Sequence, residues 1–406
     1  MTDVAIIGGG ASGLATAIMI LQRCPSAAVT VFEKNSRVGK KLSVTGNGRC
    51  NITNTCLGEE RYHGDPVLAA RLLKDFGYDR QREFFRSLGV LFTEEDGGKI
   101  YPMSLQAASV TDALRLTVEE LGARVITDCT VTAVQRSGNG FAVATSDEIT
   151  GASAVVIACG GKAGGKLGSM SGYEFLRQLG HKITSLSPAI VQLRTDSGLV
   201  RSLKGVKIDG NVTVTSDAGT RTESGEILFT DYGISGPPVL QVSRYAEASH
   251  AKAILDLLPR MTEEEIASHL FDVINHHPAR LASEIFDGFI NKRLGSVALK
   301  HSGATLGSKA SEIPDTAVRS CSAFLKQLTL TVNGTTGFEN AQVTAGGADT
   351  AQFFDTLMSK KAPGLFATGE ILNVDGDCGG FNLAFCWASA NAAANGVIDY
   401  IRKHNG

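Results

Sequence analysis

Gly8-x-Gly10-x-x-Gly13 narrows the fold of this chain more than any other feature. It lies between the apolar run Val4-Ala5-Ile6-Ile7 and an Ala-rich apolar stretch over 14–22. A second apolar run over 29–32 ends at Glu33. Strand, glycine turn, helix and strand make a βαβ unit. In such a unit Gly8 permits the tight turn, Gly10 lets the backbone approach a pyrophosphate, and Gly13 lets the helix pack closely on the sheet. Ala11 and Ser12 open the helix, whose N–H groups and partial positive charge of about half a unit favour an anion. Glu33 offers a carboxylate to ribose hydroxyls and repels a 2′-phosphate, so an adenosine of FAD or NAD is expected rather than NADP; Lys34 beside it belongs to the same expected site.

The 406 residues exceed one ordinary core. A net charge of -2 disfavours RNA as the main partner without excluding a local basic face. The N-terminal apolar run has no basic flank and is cut short by glycines, so it reads as a strand and not as an export signal. No stretch reaches the roughly 18–20 apolar residues of a membrane helix. The eight cysteines form no CxxC pair and no metal-ligand spacing with the histidines, so no metal is expected, and reduced, packed thiols in a cytoplasmic protein are. Oligomeric state has no signature here.

The loop over 35–54 is long, polar and aperiodic, which marks it as functional. Helices are expected over 67–76, 79–88, 105–121 and 172–179, and strands over 124–127, 129–135, 141–145 and 154–158. Near Pro188 the character changes: a strand over 206–215 precedes helices over 262–275, 279–294 and 317–328. The strand over 364–368 and the small-residue helix over 384–401 return to Rossmann character. The expected organisation is α/β: a Rossmann domain in two parts, 1–190 and 346–406, with an inserted substrate-side domain over 191–345.

Three further segments favour FAD over NAD. Residues 39–51, Gly48 and Arg49 among them, have the donors and backbone freedom to run along an extended cofactor. A buried strand ends in Cys159-Gly160-Gly161. A third strand ends in Gly369-Glu370, an acid suited to a ribitol hydroxyl, and Gly379-Gly380-Phe381-Asn382 then opens the last helix, whose N-terminus suits the N1 and C2-carbonyl edge of a flavin. An NAD site needs none of these distal parts.

The segments IIGGGASG, FEKNSRVGKKLSVTGNGRCNITN, GKIYPMS, LFTDYGISGPPVLQ and GEILNVDGDCGGFNLAFCWASA resemble the HI0933-like (BaiN-type) flavoprotein family over nearly the whole chain. The resemblance implies a glutathione-reductase-like FAD domain with an inserted β-barrel and helical domain. It implies FAD contacts at Gly8, Gly10, Gly13, Glu33, Lys41, Arg49, Glu370 and Gly380-Phe381-Asn382-Leu383, with the backbone of Val131 at the adenine. Asp231 stands where the family pattern has histidine, Cys159 and Thr368 also depart from it, and the segment after Lys162 lacks the usual proline. These departures bear on the substrate more than on the cofactor.

Activities in that family diverge between 3-dehydro-bile acid Δ4,6-reductases, reduction of a uridine in ribosomal RNA, and aminoacetone oxidases. The first two share hydride transfer to a C=C conjugated with a carbonyl. The expectation is reduction of a small apolar enone, with a 3-oxo bile acid as the named example and NAD(P)H as transient electron donor. RNA uridine reduction, amine oxidation and non-catalytic flavin sensing are the alternatives. Candidate groups near the flavin are Arg49, Asn51, Tyr232 and Asp231. Arg49 polarises a carbonyl or else holds a phosphate; Tyr232 donates a proton or else packs. Asp231 is an acid only if burial raises its pKa, and is otherwise a turn former. Cys50, beside Arg49, is a candidate for a lowered thiol pKa.

Overall fold

A computed structural model describes residues 2–247 and 249–404. The chain divides into two compact units, one of 1–187 with 342–406 and one of 188–341.

The first unit is built on a parallel sheet. Its strands run in the order Arg124–Ile126, Val29–Phe32, Thr2–Ile7, Ile149–Ile157 and Leu365–Ala367. Val4, Ala5, Ile6, Val155 and Val156 are fully buried, as both-face coverage of a parallel sheet requires. The long strand Ile149–Ile157 stands at the branch of one seven-stranded sheet. Its first half pairs antiparallel with Gly140–Thr145 and its second half pairs parallel with Thr2–Ile7 and Leu365–Ala367. Helix Ala11–Arg23 lies against the last helix, Phe381–His404, and Arg23 donates to Asn391 and Asn395, at 2.7 Å each. The two ends of the chain thus build one layer.

Within the loop expected over 35–54, tight turns follow one another over Leu42–Gly48, broken at extended Thr45 and with Gly46, Asn47 and Gly48 all at positive φ. Beyond it Thr53–Asn54 pairs with Lys99–Pro102, which pairs in turn with Phe92–Glu95. The sequence reading assigned nothing to this small sheet.

The second unit is a closed barrel of Leu193–Thr195, Gly233–Ser235, Gly219–Phe229, Lys207–Ser216, Lys252–Asp256 and Leu328–Thr335. Helices Glu263–His276, Lys292–His301 and Asp315–Lys326 belong to the same unit. The helix expected over 279–294 is not formed. Ala282–Glu284 makes one short turn, Gly288 takes φ +83°, and a new helix starts after Asn291, whose side chain accepts the Arg293 N–H at 3.0 Å. Buried Phe286 sits against Gly295, where a Cβ would come within 2.4 Å of its ring, so the segment folds back on the following helix. The helix expected to reach 328 stops at Lys326, because Leu328 enters the barrel.

Candidate functional site

The glycines of the first turn divide into two physical kinds. A Cβ at Gly8 would lie 2.4 Å from the Ala158 carbonyl oxygen, and one at Gly13 would lie 2.0 Å from that of Gly8. Both positions are closed by protein. A Cβ at Gly10 would meet nothing within 4 Å, and the same holds at Gly160 (φ +69°) and Gly48 (φ +83°). No side chain caps the helix that begins at Ala11, and its first turn carries no acid. Open backbone beside an uncapped helix start fits a pyrophosphate.

Glu33 is buried, and its carboxylate closes the turn. Oε2 accepts the Gly9 N–H at 2.9 Å, and Oε1 accepts the Asn35 N–H at 2.8 Å and its side-chain amide at 2.5 Å. A carboxylate has about four acceptor positions, so one remains for a further donor. The Cys129 N–H donates to the Glu33 carbonyl at 2.9 Å, which brings the start of the strand at Val131 beside this corner. Lys34 donates to the Gly168 carbonyl at 2.9 Å and so braces one loop on another. The Ser12 hydroxyl donates to the Thr368 carbonyl at 3.3 Å, tying the first helix to the strand that leads to Gly369.

Glu370 is the hub of the distal segment. Its Oε2 takes Lys41 Nζ at 2.7 Å, and its Oε1 takes the Thr344 N–H at 3.0 Å. Gly161 has room for no side chain, since a Cβ would press on Thr344 Oγ1 and Glu370 Oε1. At the last helix, a Cβ on Gly380 would lie 2.3 Å from the Thr53 carbonyl oxygen. With its amide oxygen and nitrogen exchanged, the orientation that satisfies every neighbour, Asn51 donates to Thr53 O at 3.0 Å and Ile100 O at 3.1 Å, and accepts from Gly380 N at 3.1 Å. Asn382 accepts from Gly376 N at 2.8 Å and donates to Gly376 O at 2.8 Å, which holds the loop before Phe381. Phe381 meets Tyr62 edge-on at 6.1 Å, and Leu383 is half-buried two residues on. The loop ending in Asn51 and the start of the last helix therefore meet, although the sequence separates them by more than 300 residues.

Arg49 lies over the Tyr101 ring, 4.4 Å from its centroid, and pairs with Glu95. Neither partner was legible in the sequence, and neither was a further pair, His63 Nε2 with the buried Asp377 Oδ1 at 2.9 Å. The lowered pKa expected for Cys50 is overturned: burial pushes its thiol up to about 12. Burial raises Cys378 as well. Tyr232 and Asp231 belong to the second unit. Asp231 pairs with Lys204 at 2.7 Å, its side chain is half exposed, and the ammonium holds its carboxyl below the ordinary range. The burial that an acid role for Asp231 required is missing. Tyr232 accepts the Thr195 N–H through its carbonyl at 3.1 Å, and its ring faces Arg194 at 6.0 Å. Among the described residues no group of three His, Cys, Asp or Glu is arranged to hold a metal ion. No helix among them is long and apolar enough to cross a membrane.

With that geometry in hand, the likeness to known proteins is specific. The chain is 38% identical to the 3-dehydro-bile acid delta(4,6)-reductase of Clostridium scindens, over 98% of this chain and 100% of that protein. It is 28% identical to the ribosomal RNA dihydrouridine synthase of Escherichia coli, over 98% of each. The solved 3-ketosteroid-delta4-(5alpha)-dehydrogenase of Rhodococcus jostii RHA1 shares the fold, with a TM-score of 0.53 at 15% identity, covering 98% of this chain and 96% of that one. The family described as "HI0933-like protein Rossmann domain" matches residues 2–396, and the chain belongs to it as an FAD-dependent oxidoreductase.

Proposed function

We propose that this protein reduces a C=C bond conjugated with a carbonyl in a small apolar, steroid-like substrate, a 3-oxo bile acid being the best example. The observation that carries this reading is the full-length 38% identity to a bile acid reductase. When bound, FAD supplies a hydride from N5 to the β-carbon of the enone. The open backbone at Gly10 and Gly160 would receive its pyrophosphate, and the N–H groups of Ala11 and Ser12 at the uncapped helix start would bind the phosphates. Glu33 has one acceptor position left for the adenosine ribose, and Val131 lies beside it for the adenine. The N-terminus of the helix at Phe381 would suit the flavin's N1 and C2-carbonyl edge, where it would stabilise negative charge by about 0.3–2 kcal/mol. Lys41 and Glu370, paired at 2.7 Å, would hold the ribitol, and Arg49 would polarise the substrate carbonyl. A nicotinamide nucleotide delivers the electrons.

Anaerobic mixing of reduced protein with a 3-oxo-4,6-dienoyl steroid tests this reading. Flavin reoxidation and a product heavier by two hydrogens are expected; their absence overturns it. Bleaching of the flavin absorption by NADH or NADPH tests the donor.

A second reading, uridine reduction in ribosomal RNA, draws on the 28% identity to two dihydrouridine synthases over nearly full length. It uses the same hydride chemistry. Tight, steeply salt-dependent RNA binding is its signature, and a chain of net charge -2 is poorly furnished for that.

A further inference from the structure

Reduction of an enone needs a proton at the α-carbon as well as a hydride at the β-carbon, and several acidic groups do not serve. Asp231 is a carboxylate paired with Lys204, Tyr232 lies in the second unit with its ring toward Arg194, and Glu95 is committed to Arg49. Tyr101 sits where the two flavin-facing segments meet. Its strand pairs with Thr53–Asn54, and the Asn51 amide bridges that strand, through Ile100 O, to Gly380 N. A Cβ at Gly46 would lie 3.6 Å from the Tyr101 ring.

The chemistry of the residue suits the task. Burial keeps the phenol protonated, while the guanidinium of Arg49, 4.4 Å from the ring centroid, favours the phenolate that forms when the proton leaves. A second observation concerns the surface beside it. The strand ends at Pro102, and the turn that follows carries Met103 and Leu105 (φ +52°), which are 62% and 41% exposed. Met103 N donates at 2.8 Å to the carbonyl of Leu91, itself 54% exposed. Large apolar side chains clustered in water beside a polar reactive group mark a place for an apolar ligand.

Resting on the enone reading above, we propose that Tyr101 donates the proton to the substrate's α-carbon and that Leu91, Met103 and Leu105 receive the substrate's hydrocarbon frame. The balance closes: hydride brings two electrons and one proton to the β-carbon, the C=C π bond opens, and the Tyr101 O–H bond breaks as the α C–H bond forms. The phenolate recovers its proton from solvent, and the reductant is the reduced flavin of the proposed function.

Tyr101→Phe keeps the ring and its stack with Arg49. Its FAD content and its bleaching by the nicotinamide nucleotide are expected to match wild type, while reoxidation by the dienoyl steroid slows by about 10²- to 10⁴-fold. Met103→Glu with Leu105→Glu is expected to weaken binding of the saturated 3-oxo product at least tenfold, read from the flavin spectrum, at unchanged FAD content. Reoxidation of Tyr101→Phe at the wild-type rate overturns the proton assignment and leaves the enone reading standing. Loss of FAD from Tyr101→Phe also overturns it, by making the residue structural. An unchanged product Kd in the Met103 and Leu105 variant removes the docking surface. If wild type itself transfers no hydride to the enone, the enone reading and the Tyr101 assignment fall together.

Discussion

Lys41 Nζ and Glu370 Oε2 lie 2.7 Å apart across 329 residues of sequence, joining the loop after the second strand to the acid that follows the last one. The Glu370 side chain is 16% exposed, and its other oxygen is held by the Thr344 N–H. Removing Lys41 leaves a half-buried carboxylate without its cation, which costs more than the pair contributes. Lys41→Met is therefore expected to lower stability by about 1–3 kcal/mol, and adding Glu370→Gln is expected to recover part of that loss. Denaturant unfolding of the two single variants and the double variant measures the coupling; purely additive losses would refute it.

The two kinds of glycine give a sharper contrast. Gly13→Ala drives a methyl group into the Gly8 carbonyl at 2.0 Å, so that variant is expected to unfold or to express poorly without any reference to a ligand. Gly10→Ala meets no protein atom within 4 Å, and its backbone is extended at negative φ. The apoprotein is expected to melt near the wild-type temperature while its FAD affinity falls by tenfold or more. Equilibrium dialysis of FAD beside a thermal melt separates the two outcomes, and equal FAD affinity for Gly10→Ala and wild type would show that the open space at Gly10 is not the pyrophosphate site.

What the sequence disclosed follows from what is local. The roles of Gly8, Gly10 and Gly13 depend on a dozen consecutive residues, and a strand buried on both faces announces itself as an apolar run. Tyr101 and Glu95 were silent because their meaning lies in a contact with Arg49 that only the folded chain makes. The alternatives for Asp231 stayed open in the sequence because its partner Lys204 lies 27 residues away. The expected helix over 279–294 failed for a different reason. Ala282, Ile285, Phe286 and Phe289 recur at a helical period, but Gly288 at φ +83° turns the backbone out of a helix, and periodicity cannot register that.

Glu33 makes a graded prediction. Its carboxylate holds the Gly9 N–H in the turn and presents its remaining acceptor position to the expected ribose. Glu33→Gln keeps an acceptor for one of the two contacts, whereas Glu33→Ala keeps none. FAD affinity is expected to fall in the order wild type, Glu33→Gln, Glu33→Ala, by about tenfold at each step, a step being worth about 1.4 kcal/mol. Gel-filtered protein titrated with FAD by fluorescence quenching reads this directly. Equal affinity across the three would place the ribose elsewhere.

His181 sets the acid limit of the first unit. Its Nε2 lies 2.8 Å from Ser359 Oγ, and the ring stacks on Phe353 at 4.7 Å between centroids. The serine oxygen already accepts the N–H groups of Lys361 and Ala362, at 3.0 and 2.8 Å, so its own proton goes to His181 Nε2 and requires a neutral ring there. Burial, with Lys361 adding to it, lowers the His181 pKa from 6.5 to about 4. A depressed folded-state pKa means that the folded protein resists a proton which the unfolded chain accepts. The stabilisation is therefore complete above pH 6.5 and drains away as the pH falls toward 4, by about 3 kcal/mol at most. Wild-type protein is expected to lose melting temperature steadily over that window. His181→Gln, less stable at pH 7, has no ring to titrate and is expected to show a flatter profile. Parallel melting-temperature slopes between pH 6.5 and 4 for the two proteins would place the acid sensitivity in other groups.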